Sequence, residues 1–284
     1  MSEPEPEEPA PKRKLGSTAL RFASALPLIP LVLWLLFWAP KIGFQIFGAI
    51  WIGICADELI RMAVPGSWSA RIYGVSATLG VFAMFLFVEH PAALPGTFVV
   101  LATGGLVAGL LSPRPIEQGA QRVGWLMGVP VYIGGSLSCL ALTHQADEGG
   151  AWVLLAMFSA FLSDTGAYFA GRAFGKRKLS ELSPKKTVEG SVGGLVTAMI
   201  GAAILQQTLL PDTLPLVDAI LLGGIAAALG QAGDLLESLL KRATGVKDSG
   251  NIMPGHGGLL DRSDALMFTG AAVYLYVTFV LPLR

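Results

Sequence analysis

Long apolar runs separated by short polar breaks fill this chain, and the runs are too long for strands. Nine of them approach the roughly 17–25 residues that a helix needs to cross about 30 Å of hydrocarbon. They are 20–39, 42–60, 72–88, 95–112, 123–143, 151–171, 191–210, 215–235 and 264–282. Gly and Pro blur the ends of the second, third and fourth, so eight or ten spans also fit the pattern. Most breaks are short turns. Two, 172–190 and 236–263, are long and basic and contain Gly or Pro that stops a helix from running on. The pattern predicts an all-α polytopic membrane protein of about nine transmembrane helices with two basic cytoplasmic loops. No internal repeat is visible, which weighs against an inverted-repeat transporter fold.

Charge supports this reading and orients it. Only 14% of residues are charged and 53% are hydrophobic, against about 25% charged in soluble domains; the mean hydropathy is +0.61. With nine spans and a cytoplasmic N-terminus, Lys12, Arg13, Lys14 and Arg21 lie inside, and so do the clusters at 61–71, 114–122, 172–186 and 241–262. Only Lys41 and Arg284 fall outside. That is the bias the positive-inside rule requires, and it places both long loops in the cytoplasm. The net charge of zero implies no nucleic-acid partner.

Residues 1–18, Pro- and Glu-rich, read as a disordered cytoplasmic tail rather than a signal peptide. Residues 19–150 then form N-terminal transmembrane helices, and 151–284 a C-terminal catalytic transmembrane region. Cys55 and Cys139 lie in separate apolar runs and read as buried free thiols. His90, His144 and His256 have no zinc-ligand spacing.

Candidate chemistry gathers at the cytoplasmic ends of the C-terminal segments. In "LGQAGDLLESLLKR", Gln231, Asp234, Glu237, Ser238 and Lys241 recur at three- and four-residue spacing and share one helix face. In "PGHGGLLDRSD", Pro254 to Gly258, including His256, Gly257 and Gly258, cannot form a stable helix and offer free backbone N–H groups to an anion. Asp261, Arg262 and Asp264 follow. Asp164 lies inside an apolar run, where an isolated charge costs at least about 2.5–3.5 kcal/mol, so it should face the bundle interior, a cation, a metal or a water-filled cleft. "SPKKTVEG" adds Lys185, Lys186, Thr187 and Glu189. Each feature also has a plain alternative: a polar helix end, a flexible turn, or lysines that set topology and meet headgroups.

Together the carboxylates, cations and glycines look like a site for a polyphosphate and a divalent cation, since Mg²⁺ takes carboxylate and phosphate oxygens and Lys and Arg neutralise phosphoryl charge. No nucleophilic triad is visible. That absence suits a nucleophile already ionised, such as a lipid phosphate.

"SLLKRATGVKDSGNIMPGHGGLLDRSD" resembles the signature of the phosphatidate cytidylyltransferases, or CDP-diacylglycerol synthases. The matching residues are Ser238, Lys241–Arg242, Lys247–Asp248, Pro254 to Gly258, Asp261–Arg262 and Asp264, with Ser263 departing from an expected apolar residue or Thr. "SDTGAYFAGRAFGKRKLSELSPKKTVEG" resembles the family's upstream elements, so the specific similarity covers about residues 160–265. Before that, only "ADELIRM" at 56–62 stands out.

The resemblance implies that CTP and phosphatidate react to give CDP-diacylglycerol and pyrophosphate at the cytoplasmic face of a bacterial-type inner membrane. It implies Asp234 and Asp261 as Mg²⁺ ligands, with K⁺ as a second ion at the same site. Lys241, Arg242 and Lys247 would bind phosphates, Asp264 and Ser238 would support them, and the protein would be a homodimer among membrane lipids. Asp234, Lys241, Asp261 and Asp264 are the expected catalytic residues. Asp164, Lys185, Lys186, Thr187, Glu189, Asp248, His256, Gly257, Gly258 and Arg262 are expected to line the substrates. Three rivals stay open: a CTP-dependent enzyme of another lipid (a CDP-archaeol synthase or polyprenol kinase), an ion-coupled transporter using Asp164 and Asp234, and a family-derived scaffold that has lost catalysis.

Overall fold

A computed structural model describes residues 26–112, 115–252 and 257–283. The first-18-residue tail and His256 lie outside these residues. Among the described residues the chain is helical, with no strand beyond an isolated antiparallel bridge between Lys178 and Thr187. The helices are α1 (Leu28–Phe37), α2 (Lys41–Ala63), α3 (Trp68–Phe87), α4 (Ala93–Leu110), α5 (Ile116–Gln145), α6 (Gly149–Phe174), α7 (Val188–Leu209), α8 (Leu216–Ala243) and α9 (Asp264–Val280). Each predicted apolar segment falls on one of them. Among the described residues six, namely α3 to α8, are long and apolar enough to cross a membrane; α1 and α9 are shorter apolar helices.

Large apolar side chains are exposed in stripes at four-residue spacing: Ile42, Ile46 and Ile50 on α2, Val192, Val196, Ile200 and Ile204 on α7, and Val217, Leu221, Ile225 and Leu229 on α8. Water would not tolerate such continuous apolar surface, whereas lipid does. The chain is an integral membrane protein.

α6 and α7 pack against each other more extensively than any other pair, and α8 lies against both and against α9. The second half of α5 joins α9 to α2 and α3, so the N-terminal helices are part of the same body. α5 bends through a π-helical turn, Pro130–Gly135, as expected where Pro130 cannot donate to the ladder. Trp152, Ile52, Leu59, Leu126, Leu155 and Met267 are fully buried in the resulting core.

The close meeting of α6, α7 and α8 depends on Gly194. A Cβ there would lie 2.6 Å from the Ser163 carbonyl oxygen and 2.9 Å from Gln231 Nε2. Gln231 uses the space: its Nε2 donates to Ser163 Oγ (3.0 Å) and the Ser191 carbonyl (3.1 Å), and its Oε1 accepts from Ser191 Oγ. Three helices are thereby tied at one polar point. Gly194→Val should push α7 off this point and cost about 1–3 kcal/mol, the usual cost of overpacking. A melting midpoint equal to wild type for the detergent-purified variant would show that the crossing has slack.

Candidate functional site

The polar half of α8 points into a cluster built by four parts of the chain. Asp234 pairs with Lys186, which the 175–187 loop delivers. That loop is fastened at its base by Glu189, whose Oε2 accepts from the amides of Lys176 (3.0 Å) and Arg177 (3.2 Å) and whose Oε1 meets Arg177 Nε at 3.2 Å. Thr187 caps α7, accepting from the Gly190 amide at 3.1 Å. Leu179 N–H to Lys186 C=O (2.8 Å) and Val188 N–H to Arg177 C=O (2.9 Å) close the hairpin-like turn. Burial lowers the pKa of Lys186 below the ordinary lysine value; nearby Asp164 and Asp264 oppose the shift, and Lys241 adds to it.

Two turns beyond Asp234 on α8, Lys241 Nζ donates to Asp261 Oδ1 at 2.6 Å and lies 3.0 Å from Glu237 Oε1. Glu237 is wholly buried, and neither of its oxygens has a well-aligned hydrogen bond. Asp261 sits in the 3₁₀ turn Leu260–Arg262, and its Oδ2 accepts from the amides of Ser249 (3.0 Å) and Gly258 (2.9 Å). Ser249 Oγ lies 3.0 Å from that same oxygen. Burial pushes the Asp261 carboxyl up, but the hydrogen bonds from Lys241 and from the two amides outweigh it and hold the pKa at about 2. Asp264 opens its helix, its Oδ1 accepting from the Ala265 amide (2.7 Å), and lies within electrostatic reach of both lysines and Glu237. Asp164 is exposed, with Asp264, Lys186 and Arg262 as its electrostatic neighbours.

The structure thus brings together Asp164, Lys186, Asp234, Lys241, Asp261, Arg262 and Asp264, with Ser238 half-buried on the same helix. Lys185, Arg242, Lys247 and Asp248 are exposed beyond it. Gly257 takes a positive φ of 86° and Gly258 is buried against Ser249 and Glu58. Thr187 and Glu189 face the loop's own backbone.

Arg262 also lines an apolar cavity of about 640 Å³ between α1, α2, α5, α6 and α9. Val32, Phe47, Trp51, Leu140, Met157 and Phe161 form much of its wall, and among the described residues Arg262 is its one charged lining residue. Charge cluster and cavity therefore meet at the 3₁₀ turn.

Sequence reasoning missed the contribution of α2. Trp51 Nε1 donates to Ser263 Oγ (2.7 Å), Cys55 Sγ lies 3.7 Å from the same oxygen, and Glu58 accepts from the amides of Leu259 (3.1 Å) and Leu260 (2.9 Å). Ser263, the position that departs from the family pattern, is fully buried and donates to the Leu259 carbonyl at 2.9 Å. The available signal was the three- and four-residue spacing of Trp51, Cys55 and Glu58, which puts all three on one face of a helix.

Among the described residues, no three His, Cys, Asp or Glu side chains are arranged to hold a metal ion. Mg²⁺ commonly takes only one or two carboxylates and completes its shell with phosphate and water, so the acidic donors fit such an ion when substrate is bound. Asp234, 23% exposed and paired with Lys186, is the more open; at Asp261, 8% exposed, Lys241 would have to release Oδ1.

Fold and site define a class: an integral membrane protein with a lysine–carboxylate cluster at the head of an apolar cavity. The sequence profile of the cytidylyltransferase family matches residues 19–280, and the chain belongs to that family. It is 32% identical over 268 residues to the phosphatidate cytidylyltransferase of Brucella suis biovar 1, covering 92% of this chain and 94% of that one. It is 43% identical over 156 residues to the enzyme of that name from Bacillus subtilis strain 168, covering 54% and 57%. With the Synechocystis enzyme of that name the identity is 44% over 133 residues, covering 45% and 44%. The last two alignments span about half the length of those relatives.

Asp261→Asn keeps an oxygen for the Ser249 and Gly258 amides but removes the charge facing Lys241. Turnover should fall by about 100-fold or more, the scale of losing one preorganised electrostatic contact, while the protein stays folded. Near-normal activity would remove Asp261 from the reacting machinery. Because its pKa lies below the unfolded value of about 3.9, ionised Asp261 stabilises the fold at neutral pH, and this contribution is lost as pH falls toward 2. Acid unfolding should therefore show the wild-type advantage over Asp261→Asn shrinking between about pH 4 and pH 2.

Proposed function

We propose that this protein transfers the cytidylyl group of CTP to phosphatidate, releasing pyrophosphate and forming CDP-diacylglycerol for phospholipid biosynthesis. One observation carries the reading: the partly buried lysine–carboxylate cluster adjoins an apolar cavity whose single charged lining residue, among the described residues, is Arg262. A headgroup phosphate at Arg262 leaves an acyl chain in the cavity and sets an ionised oxygen beside Lys186 and Lys241. That oxygen attacks the α-phosphorus of CTP, the bond to the bridging oxygen breaks, and the electron pair leaves on pyrophosphate. No proton needs to be removed from the nucleophile. The lysines bind the phosphates and offset charge that builds on the leaving group.

Asp234 and Asp261 would hold Mg²⁺, with K⁺ as a second ion at the site, and the metal would supply Lewis-acid neutralisation of the phosphates. Asp264, within electrostatic reach of both lysines, would favour their charged forms. The exposed Lys185, Arg242 and Lys247 would draw CTP from the cytoplasm.

The cation distribution supports nine spans with an inside N-terminus and the site at the cytoplasmic face of a bacterial-type inner membrane. The family resemblance supports a homodimer.

The purified protein in detergent, given CTP, phosphatidate and Mg²⁺, should release pyrophosphate only when lipid and metal are both present. Competition with archaeal and polyprenyl lipids then sets the lipid class. No release with any lipid phosphate would sink the reading.

A further inference from the structure

We propose that Glu58, in the N-terminal half of the chain, is the positioning residue that sets the geometry of the 3₁₀ turn Leu260–Arg262. Its carboxylate is 3% exposed. Oε1 accepts from Leu259 N–H at 3.1 Å, Oε2 accepts from Leu260 N–H at 2.9 Å, and Ser249 Oγ lies 3.1 Å from Oε2. These partners are 191 to 202 residues away along the chain. A buried carboxylate with this few donors is costly unless each is held in place, so it and the turn fix one another.

The turn is shaped to admit it. A Cβ on Gly258 would lie 2.6 Å from Glu58 Oε2, and one on Gly250 would lie 2.8 Å from the carboxyl carbon. Both glycines leave the space the carboxylate fills. Ser249 Oγ stands between Glu58 Oε2 and Asp261 Oδ2, at 3.1 and 3.0 Å, and has one proton to share between them. Glu58 therefore holds the two residues before Asp261 directly, and Asp261 itself through Ser249. That in turn aims Asp261 Oδ1 at Lys241.

The adjacent acid does something else. Asp57 pairs with Arg61 (2.6 Å) and Arg71 (2.7 Å) away from the turn. Two neighbouring carboxylates of α2 thus divide between a surface ion pair and the site. Only the kinetic part of the test below rests on the transferase reading.

Full-length protein in detergent is compared as wild type, Glu58→Gln, Glu58→Asp and Asp57→Asn. Amide hydrogen exchange of the 257–263 segment reads the clamp, and kcat per folded molecule with KM for CTP reads its consequence. Gln must present an NH₂ to a backbone donor, so exchange at Leu259 and Leu260 should quicken and kcat should fall about 10- to 100-fold, as when the support of a reacting group is removed. KM for CTP should change by less than about threefold. Aspartate, which keeps both oxygens, should recover part of both readouts, and Asp57→Asn should leave both near wild type.

Unchanged exchange in Glu58→Gln overturns the clamp. Faster exchange with kcat within about twofold of wild type overturns the positioning role. If Glu58→Gln does not fold, Ser249→Ala, which buries no new charge, should quicken exchange and lower kcat; wild-type behaviour in both overturns the proposal. If the wild-type protein does not turn over CTP with phosphatidate, the transferase reading fails, and exchange alone decides whether Glu58 holds the turn.

Discussion

Lys241 lets two carboxylates share one nearly water-free spot. Glu237, one turn before it, is fully buried, and Asp261 approaches from a turn 20 residues further on. Without the ammonium between them, the pair would repel and each would carry an unbalanced desolvation cost. With it, α8 and the 3₁₀ turn are joined by a 2.6 Å charge-assisted hydrogen bond. The second pair, Lys186 with Asp234, repeats the device one turn back and brings in the basic loop. Charges that look ill-placed in an apolar protein are thus mutually balanced, and in the proposed reaction the same balance would present cations to an incoming phosphate.

The site also rests on the helices that carry no charged motif. α2 supplies Trp51, Cys55 and Glu58 to the turn, and Trp51 is at once a wall of the apolar cavity and a donor to Ser263. A shift of α2 would therefore move the cavity wall and the charged turn together. That coupling suits a reaction between a lipid and a water-soluble nucleotide, because the apolar chain and the phosphate must be held in register.

The membrane class was legible in the chain because hydropathy needs no tertiary information: each apolar run became a helix. Gln231, Asp234, Glu237 and Lys241 fell on one face for a similar reason, since helical periodicity is local. Glu58 was not legible as part of the site. Nothing in "ADELIRM" distinguishes an acid that meets arginines from one that accepts two distant amides. The inward structural roles of Thr187 and Glu189 were equally hidden, because a charged or hydroxyl residue in a basic loop reads the same whether it faces a ligand or the loop's own backbone.

By itself, then, the sequence determined an all-helical membrane protein, the family signature and which helix ends hold acids, lysines and glycines. These depend on composition and on spacing within single segments. Only the tertiary structure decided which acid meets which lysine, that Arg262 borders the apolar cavity, and that a helix from the N-terminal half holds the 3₁₀ turn Leu260–Arg262. Those pairings join segments up to about two hundred residues apart. They are set by how helices pack and how closely glycines let them approach, which no local pattern records.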